Sequence, residues 1–152
     1  MIPYDKAKLI NDLFETMYQS KGIGLAAVQV GILKRILVID VSNKDENKEP
    51  LCFINPKIKK LSDETAIYEE GCLSIPDTFI EIERPKICEV EYIDINGEIK
   101  NLKCDGLLST CVQHEINHLD GKLIIDHLSK LKKDIIIKKI SKLKKNPDRI
   151  IV

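Results

Sequence analysis

The chain has 152 residues with 24 basic and 24 acidic side chains, so its formal net charge is zero. This balance excludes a protein that binds nucleic acid through its overall charge, and no sequence-specific nucleic-acid motif is present. The hydrophobic fraction of 43% is typical of one globular domain with its own core, and no apolar run reaches the roughly 18–20 residues of a membrane span.

Cysteine usage and the N-terminal stretch indicate the compartment. The stretch MIPYDKAKLI lacks the basic start and apolar centre of a secretory signal. An odd number of cysteines without tight spacing argues against a disulfide framework and favours a reducing environment. We therefore expect a cytoplasmic protein with a single domain over residues 1–152. The five cysteines are Cys52, Cys72, Cys88, Cys104 and Cys111.

The first third of the chain predicts a helix and a buried strand. Apolar residues recur at helical spacing in residues 6–20, with Asp5 as a plausible N-cap and Gly22 just past the end. A glycine-rich segment follows at residues 22–29. The near-continuous apolar run at residues 35–41 predicts a buried strand.

The middle of the chain predicts strands joined by turns. Short strands are predicted on either side of Pro56, at residues 51–55 and 57–61. Alternating polarity over residues 79–94 predicts two further strands, which are broken near Pro85. The dipeptide at residues 96–97 is Asn-Gly, a strong hairpin signal, because both residues tolerate positive φ.

The last third predicts two helices. Asp105 can cap a helix from about residue 106 to 119, with Gly121 as its stop. A final amphipathic helix is predicted over residues 129–145. Strands that precede the main helix, with hairpin links, predict the α+β class. We expect antiparallel or mixed sheets packed around the central helix, with an N-terminal helix and a C-terminal amphipathic helix.

The central helix carries the stretch QHEINHLDG at residues 113–121. His114 and His118 lie four residues apart and project from one face, so both can reach one metal ion. Glu115 lies beside them and can reach a water without being a ligand, which is the HExxH arrangement of two ligands and one general base. The alternative is an exposed helix that carries two surface histidines by chance.

Two further stretches contain candidate site residues. Cys72 lies in EEGCLSIP, residues 69–76, and could supply a third metal ligand, although most free cysteines are small core residues. Gln29 is the polar side chain of the apolar segment GIGLAAVQ, residues 22–29. A buried amide needs partners, and donation to a developing oxyanion is one possible role. Cys111, one turn before Glu115, is expected to line or underlie the site.

Taken together, GIGLAAVQ, EGCLS and QHEINHLDG closely resemble the three signature stretches of peptide deformylase, the family that removes the N-formyl group from the initiator methionine of new bacterial chains. The resemblance runs from about Asp5 to the lysine-rich C-terminal helix. It implies that Cys72, His114 and His118 bind the metal and that Glu115 is the general acid/base. It also implies ferrous iron as the metal, with zinc or nickel as substitutes.

The resemblance also assigns substrate-binding residues. Gln29 and the backbone N–H of Leu73 would stabilise the oxyanion, and Gly24 would help to hold the formylated peptide in an extended pose. The apolar pocket for the methionine side chain would be lined by four residues: Ile23, Tyr68, Leu107 and Cys111. In the bacterial type of the family the C-terminal helix docks on the ribosome. The other interpretation of this basic segment is a solvated amphipathic helix.

The sequence departs from the family pattern at several positions. Asn117 stands where the family usually has aspartate, and Phe79 stands where many bacterial members have arginine. Arg84 remains available as a basic partner for Glu70. The family usually carries some twenty more residues before the first helix. Three alternatives stay open: a family member that binds such peptides without hydrolysis, a zincin-like endopeptidase based on HEINH alone, and a structural metal site.

Overall fold

The computed structural model describes residues 4–42 and 47–145. Helix α1 spans Tyr4–Gln19, so Asp5 lies in its first turn instead of capping it. At its end Gly22 donates to the Met17 carbonyl and Lys21 to the Tyr18 carbonyl, while Lys21 adopts a φ of 58°. This is a Schellman arrangement in which a lysine occupies the left-handed position. Gly22 is not needed for that position and instead packs closely against the Leu73 side chain.

A five-stranded antiparallel sheet forms the main layer, with the strand order β1-β2-β3-β6-β7. One expectation was wrong in detail. The two short strands around Pro56 are one strand, β3, which crosses the proline through shifts of register. The hairpin at residues 96–97 is present, but of its two residues it is Gly97 that adopts positive φ. The strands are β1 Gly24–Ala26, β2 Ile36–Ile39, β3 Leu51–Leu61, β6 Cys88–Ile93 and β7 Ile99–Cys104.

A separate antiparallel hairpin carries the EEGCLS stretch. It pairs β4, Thr65–Cys72, with β5, Ile75–Pro85. Side chains alternate between its two faces, and Ile80 and Ile82 of β5 face a buried cluster that is completed by Ile124 and Ile125 of the 3-10 turn Ile124–His127.

The central helix α2 spans Gly106–Leu119, as predicted. Asp105 is its N-cap, and Gly121 beyond its end has a φ of 78°. Nine of its side chains are buried, because it packs on the main sheet through Val112 and Ile116 and also contacts β5. This double contact holds its functional face between the sheet and the hairpin.

The last helix, α3, spans Lys130–Lys145 and lies against the turn before it. Ile136 and Ile140 pack against the hairpin cluster, whereas Leu131 is 73% exposed. The α+β class, the antiparallel sheets and the positions of all three predicted helices are thus confirmed. Within the described ranges, no helix is both long and apolar enough to cross a membrane.

Candidate active site

Three donor atoms from two elements converge at the C-terminal half of α2. The Cys72 Sγ lies 3.1 Å from the His118 Nε2, which lies 3.0 Å from the His114 Nε2. The ligand atoms of the three residues all lie within 4.8 Å of one another. Cys72 reaches this point because β4 ends there, and the histidines reach it because residues four apart share a helix face.

Electrostatic interactions in this cluster favour the ionised, metal-binding form of Cys72. Burial raises the pKa of the Cys72 thiol, but hydrogen bonds with His114 and His118 outweigh it and lower this pKa to about 5. Burial lowers the pKa of His114, whereas hydrogen bonds with Cys72 and Glu70 raise it to about 9. The sulfur is therefore a thiolate at neutral pH, and thiolate is the form that binds metals.

A buried ion pair orients His114 from behind. The Nδ1 of His114 lies 2.9 Å from the Oε1 of Glu70. A carboxylate can only accept, so Nδ1 donates to Glu70, and Nε2 faces the cluster, where it would present its lone pair once a metal ion displaced its proton. Arg84 in turn donates to both carboxylate oxygens of Glu70, at 2.8 and 3.0 Å.

Arg84 is the basic partner of Glu70, as expected, but neither residue was among those assigned a direct role in the site. The alternation of β4 was the available signal, because it places Glu70 on the same face as Cys72, two residues later.

Glu115 lies beside the donor cluster without belonging to it. Its Oε1 is 4.0 Å from the His114 Nε2, and burial raises the pKa of its carboxyl to about 7 although His114 and His118 act in the opposite direction. Its Oε2 is buried and has no hydrogen-bond partner in the described part of the chain. A cluster of one sulfur and two imidazole nitrogens, with an unpartnered carboxylate oxygen next to it, fits a metal ion that keeps a coordination position for water.

The glycine-rich segment closes the other side of the site. A Cβ at Gly24 would lie 2.8 Å from the Glu115 Oε1 and 2.9 Å from the Cys111 Sγ, so only glycine lets β1 approach α2 so closely. A Cβ at Gly22 would lie 2.9 Å from the Leu73 Cδ1.

Gln29 follows in the 3-10 turn Ala27–Val30, where its Oε1 accepts from the Ala26 N–H at 2.8 Å. Its Nε2 is 2.9 Å from the Ser74 Oγ and 3.6 Å from the Cys72 Sγ.

The four predicted pocket residues differ in exposure. Ile23 and Leu107 are 41% and 43% exposed, and Cys111 is buried with its thiol 3.8 Å from the Ile23 carbonyl oxygen. Tyr68 is half-buried on β4, with its hydroxyl 4.0 Å from the place of a Cβ at Gly106.

Comparisons with known proteins agree with the three motifs. The family model described as polypeptide deformylase matches residues 2–134. A peptide deformylase of Pelagibacter ubique (strain HTCC1062) is 59% identical over 148 residues, which cover 97% of this chain and 85% of the relative.

Solved structures agree as well. The crystal structure of peptide deformylase from Ehrlichia chaffeensis superposes with a TM-score of 0.90 at 44% identity, covering 98% of this chain and 88% of that one. The same enzyme in complex with actinonin gives a TM-score of 0.87 at 45% identity, covering 95% and 85%. The resemblance inferred from the motifs is confirmed, and the chain belongs to the polypeptide deformylase family.

Proposed function

We propose that this protein removes the N-formyl group from the N-terminal formyl-methionine of nascent polypeptides, releasing formate, at the site formed by Cys72, His114 and His118. Family membership supports the reaction. The observation that supports its location is the convergence of the three donor atoms within 4.8 Å. The reaction is the hydrolysis of a linear amide by a metallohydrolase.

The three residues would hold one divalent ion per chain, ferrous iron in the cell, with zinc or nickel as substitutes. Thiolate and imidazole are ligands that suit these metals. When bound, such an ion supplies Lewis acidity, which lowers the pKa of water from about 15.7 to about 7 in favourable sites. Glu70 accepts a hydrogen bond from the His114 Nδ1, and this contact directs the Nε2 of the ring toward the ion.

Glu115 is the general acid/base of this proposal. A carboxyl with a pKa of about 7 can both accept and return a proton at neutral pH. Glu115 takes the proton of the attacking water and then passes it to the nitrogen of the departing peptide. Its burial beside the donor cluster keeps both transfers within a short distance.

Gln29 and the backbone N–H of Leu73 donate to the oxyanion. The Ala26 N–H holds the Gln29 Oε1, so the Nε2 end must face Ser74 and Cys72. An amide nitrogen carries two protons. Ser74 accepts one of them, and the other faces the Cys72 sulfur at 3.6 Å, a weak contact that a substrate oxygen would replace. One such donor contributes roughly 3–4 kcal/mol to transition-state stabilisation.

The peptide would lie in an extended pose between Gly24 and the backbone around Leu73. Its methionine side chain would enter an apolar pocket lined by the four residues Ile23, Tyr68, Leu107 and Cys111. The partial exposure of Ile23 and Leu107 supports this arrangement, because it leaves apolar side chains accessible to a ligand. We also propose that the chain binds actinonin, as the Ehrlichia chaffeensis enzyme does.

The test is formate release from formyl-Met-Ala peptides by protein loaded with ferrous iron or nickel. Glu115→Gln is expected to lower turnover by about 10²–10⁴-fold with the metal retained, because it removes the proton acceptor. Peptide binding without formate release by the wild type would instead favour a binding protein. Cleavage of internal peptide bonds would favour an endopeptidase.

The helix α3 would serve as the contact to the ribosome, in the cytoplasm where nascent chains are made. The support is its basic character, with eight lysines and one arginine against two aspartates in residues 130–149. Deletion of residues 130–152 is expected to weaken ribosome binding steeply at low salt. Lysine contacts to phosphates release counterions and so favour binding most strongly at low salt, and the deletion removes these contacts. Unchanged ribosome sedimentation would overturn this part of the proposal.

A further inference from the structure

A buried guanidinium joins three elements next to the donor cluster. The side chain of Arg84 on β5 is 6% exposed and forms a fork to the carboxylate of Glu70 on β4. Its remaining terminal nitrogen, Nη1, donates to the Oδ1 of Asn117 on α2 at 2.7 Å. One planar group thus determines the relative positions of the hairpin and the helix.

A second contact joins the same two elements, one residue later on β5 and one helical turn earlier on α2. The Nε2 of Gln113, which precedes His114, donates to the carbonyl oxygen of Pro85, which follows Arg84, at 2.9 Å. The same nitrogen donates to the Ser109 Oγ at 3.0 Å. Gln113 is 5% exposed, so its amide is largely shielded from water, and its two contacts fix the end of β5 relative to α2.

We propose that Arg84, Asn117 and Gln113 form a clamp between β5 and α2 that holds Glu70 against His114 and so controls how long the active site retains its metal ion. The three are positioning residues, and none of them supplies a donor atom to the cluster. The inference rests on the proposed function, since it acts on the metal site assigned there.

The clamp acts through a single oxygen. The Oε1 of Glu70 accepts from the Arg84 Nη2 at 3.0 Å and also from the His114 Nδ1 at 2.9 Å. A shift of the guanidinium therefore moves the atom that fixes the imidazole ring. Asn117 is uncharged, so Glu70 is the one acid that pairs with Arg84 in the described part of the chain. The orientation of His114 then depends on how firmly Asn117 and Gln113 hold Arg84 and its strand.

The measurement is the rate at which the full chain, loaded with cobalt(II), loses its ion to excess chelator, followed by cobalt absorbance. Asn117→Ser and Gln113→Met are each expected to release cobalt about tenfold faster, the scale of losses from altered outer partners. Arg35→Lys is the matched control, because Arg35 contacts the end of α2 at Asp120 on the surface and is expected to leave the rate unchanged. Arg84 is not replaced, since its removal would strand a buried carboxylate.

A double-mutant cycle separates the clamp from general loosening of the fold. In a Glu70→Gln background the side chain keeps an oxygen but loses the charge that Arg84 holds, so Asn117→Ser is expected to add much less to the release rate than it does in the wild type. A fully additive effect there, or unchanged release from both single variants, would overturn the clamp. Failure of the wild type to bind cobalt at all would instead overturn the proposed metal site.

Discussion

The helices α2 and α3 are similar in length, with 14 and 16 residues, but the fold holds them differently. Nine side chains of α2 are buried between the main sheet and the hairpin. On α3, Ile136 and Ile140 face the hairpin cluster, and Leu131 and Ile135 are mostly exposed. The helix that carries the candidate site is thus held on several sides, whereas the helix packed on one side keeps a face free for other contacts.

The largest effect is expected at the donor cluster of α2. Cys72→Ala removes one of three donors, and its cost in metal affinity should exceed the roughly 100-fold that altered outer partners can cause. Metal content after dialysis and formate release measure it. Cys52→Ala is the matched control. Cys52 packs in the hydrophobic cluster under α1, so the variant protein is expected to retain its metal. A Cys72→Ala protein with full metal content would favour the endopeptidase alternative.

A second prediction concerns the close approach of β1 to α2. Gly24→Ala places a methyl group where the Glu115 carboxylate now lies, so turnover is expected to fall about 10²-fold through displacement of that group. The free energy of unfolding should drop by about 1–3 kcal/mol from overpacking. Steady-state kinetics and thermal melts check the two effects, and the metal content should stay unchanged. Wild-type turnover would show that the site tolerates a side chain there.

Much of α2 and its motifs could be predicted from the sequence, because Asp105 and Gly121 flank the helix with local signals. On β4, the strand-like run before Cys72, the burial of Glu70 escaped prediction for a physical reason. The inward position 70 of this strand is a glutamate, which a polarity pattern assigns to solvent. The burial of Glu70 depends on Arg84 and His114, which come from distant segments. Likewise, the continuity of β3 across Pro56 depends on its pairing with β6, which no local signal encodes.

A third prediction compares the two faces of α3. Ile140→Ala is expected to lower the free energy of unfolding by about 1–2 kcal/mol, since Ile140 packs against the hairpin cluster while staying partly exposed. Leu131→Ala should stay within about 0.5 kcal/mol, because Leu131 is 73% exposed. Urea unfolding measures both values. Equal costs would mean that α3 is held on both faces, and the contrast with α2 would disappear.

The smallest effect is expected at the base of α3. The backbone N–H of Leu123 and the ammonium of Lys133 lower the pKa of the Asp126 carboxyl. Because the pKa of Asp126 is lower in the folded protein than the value of about 3.9 in the unfolded chain, its ionised carboxylate stabilises the fold at pH above that value. This stabilisation is lost as the pH falls through the folded pKa.

Because both side chains are partly exposed, the effect on α3 should be slight. Amide exchange of α3, corrected for its intrinsic dependence on pH, should accelerate as the solution is acidified below about pH 4. Asp126→Asn should remove this dependence. If the exchange of α3 still accelerated below about pH 4 in Asp126→Asn, a different titrating group would be responsible.

The Cys72 Sγ and the His118 Nε2 meet across 46 residues of chain. Loops of this length cost conformational entropy before their contacts form, so the cation-binding geometry should be among the last features to appear during folding. The reverse holds for unfolding: if either the hairpin or the helix detaches, the ligand set is split. Retention of the ion therefore reports whether the hairpin and α2 are still packed together. A molecule in which either has detached should lose activity before it is degraded.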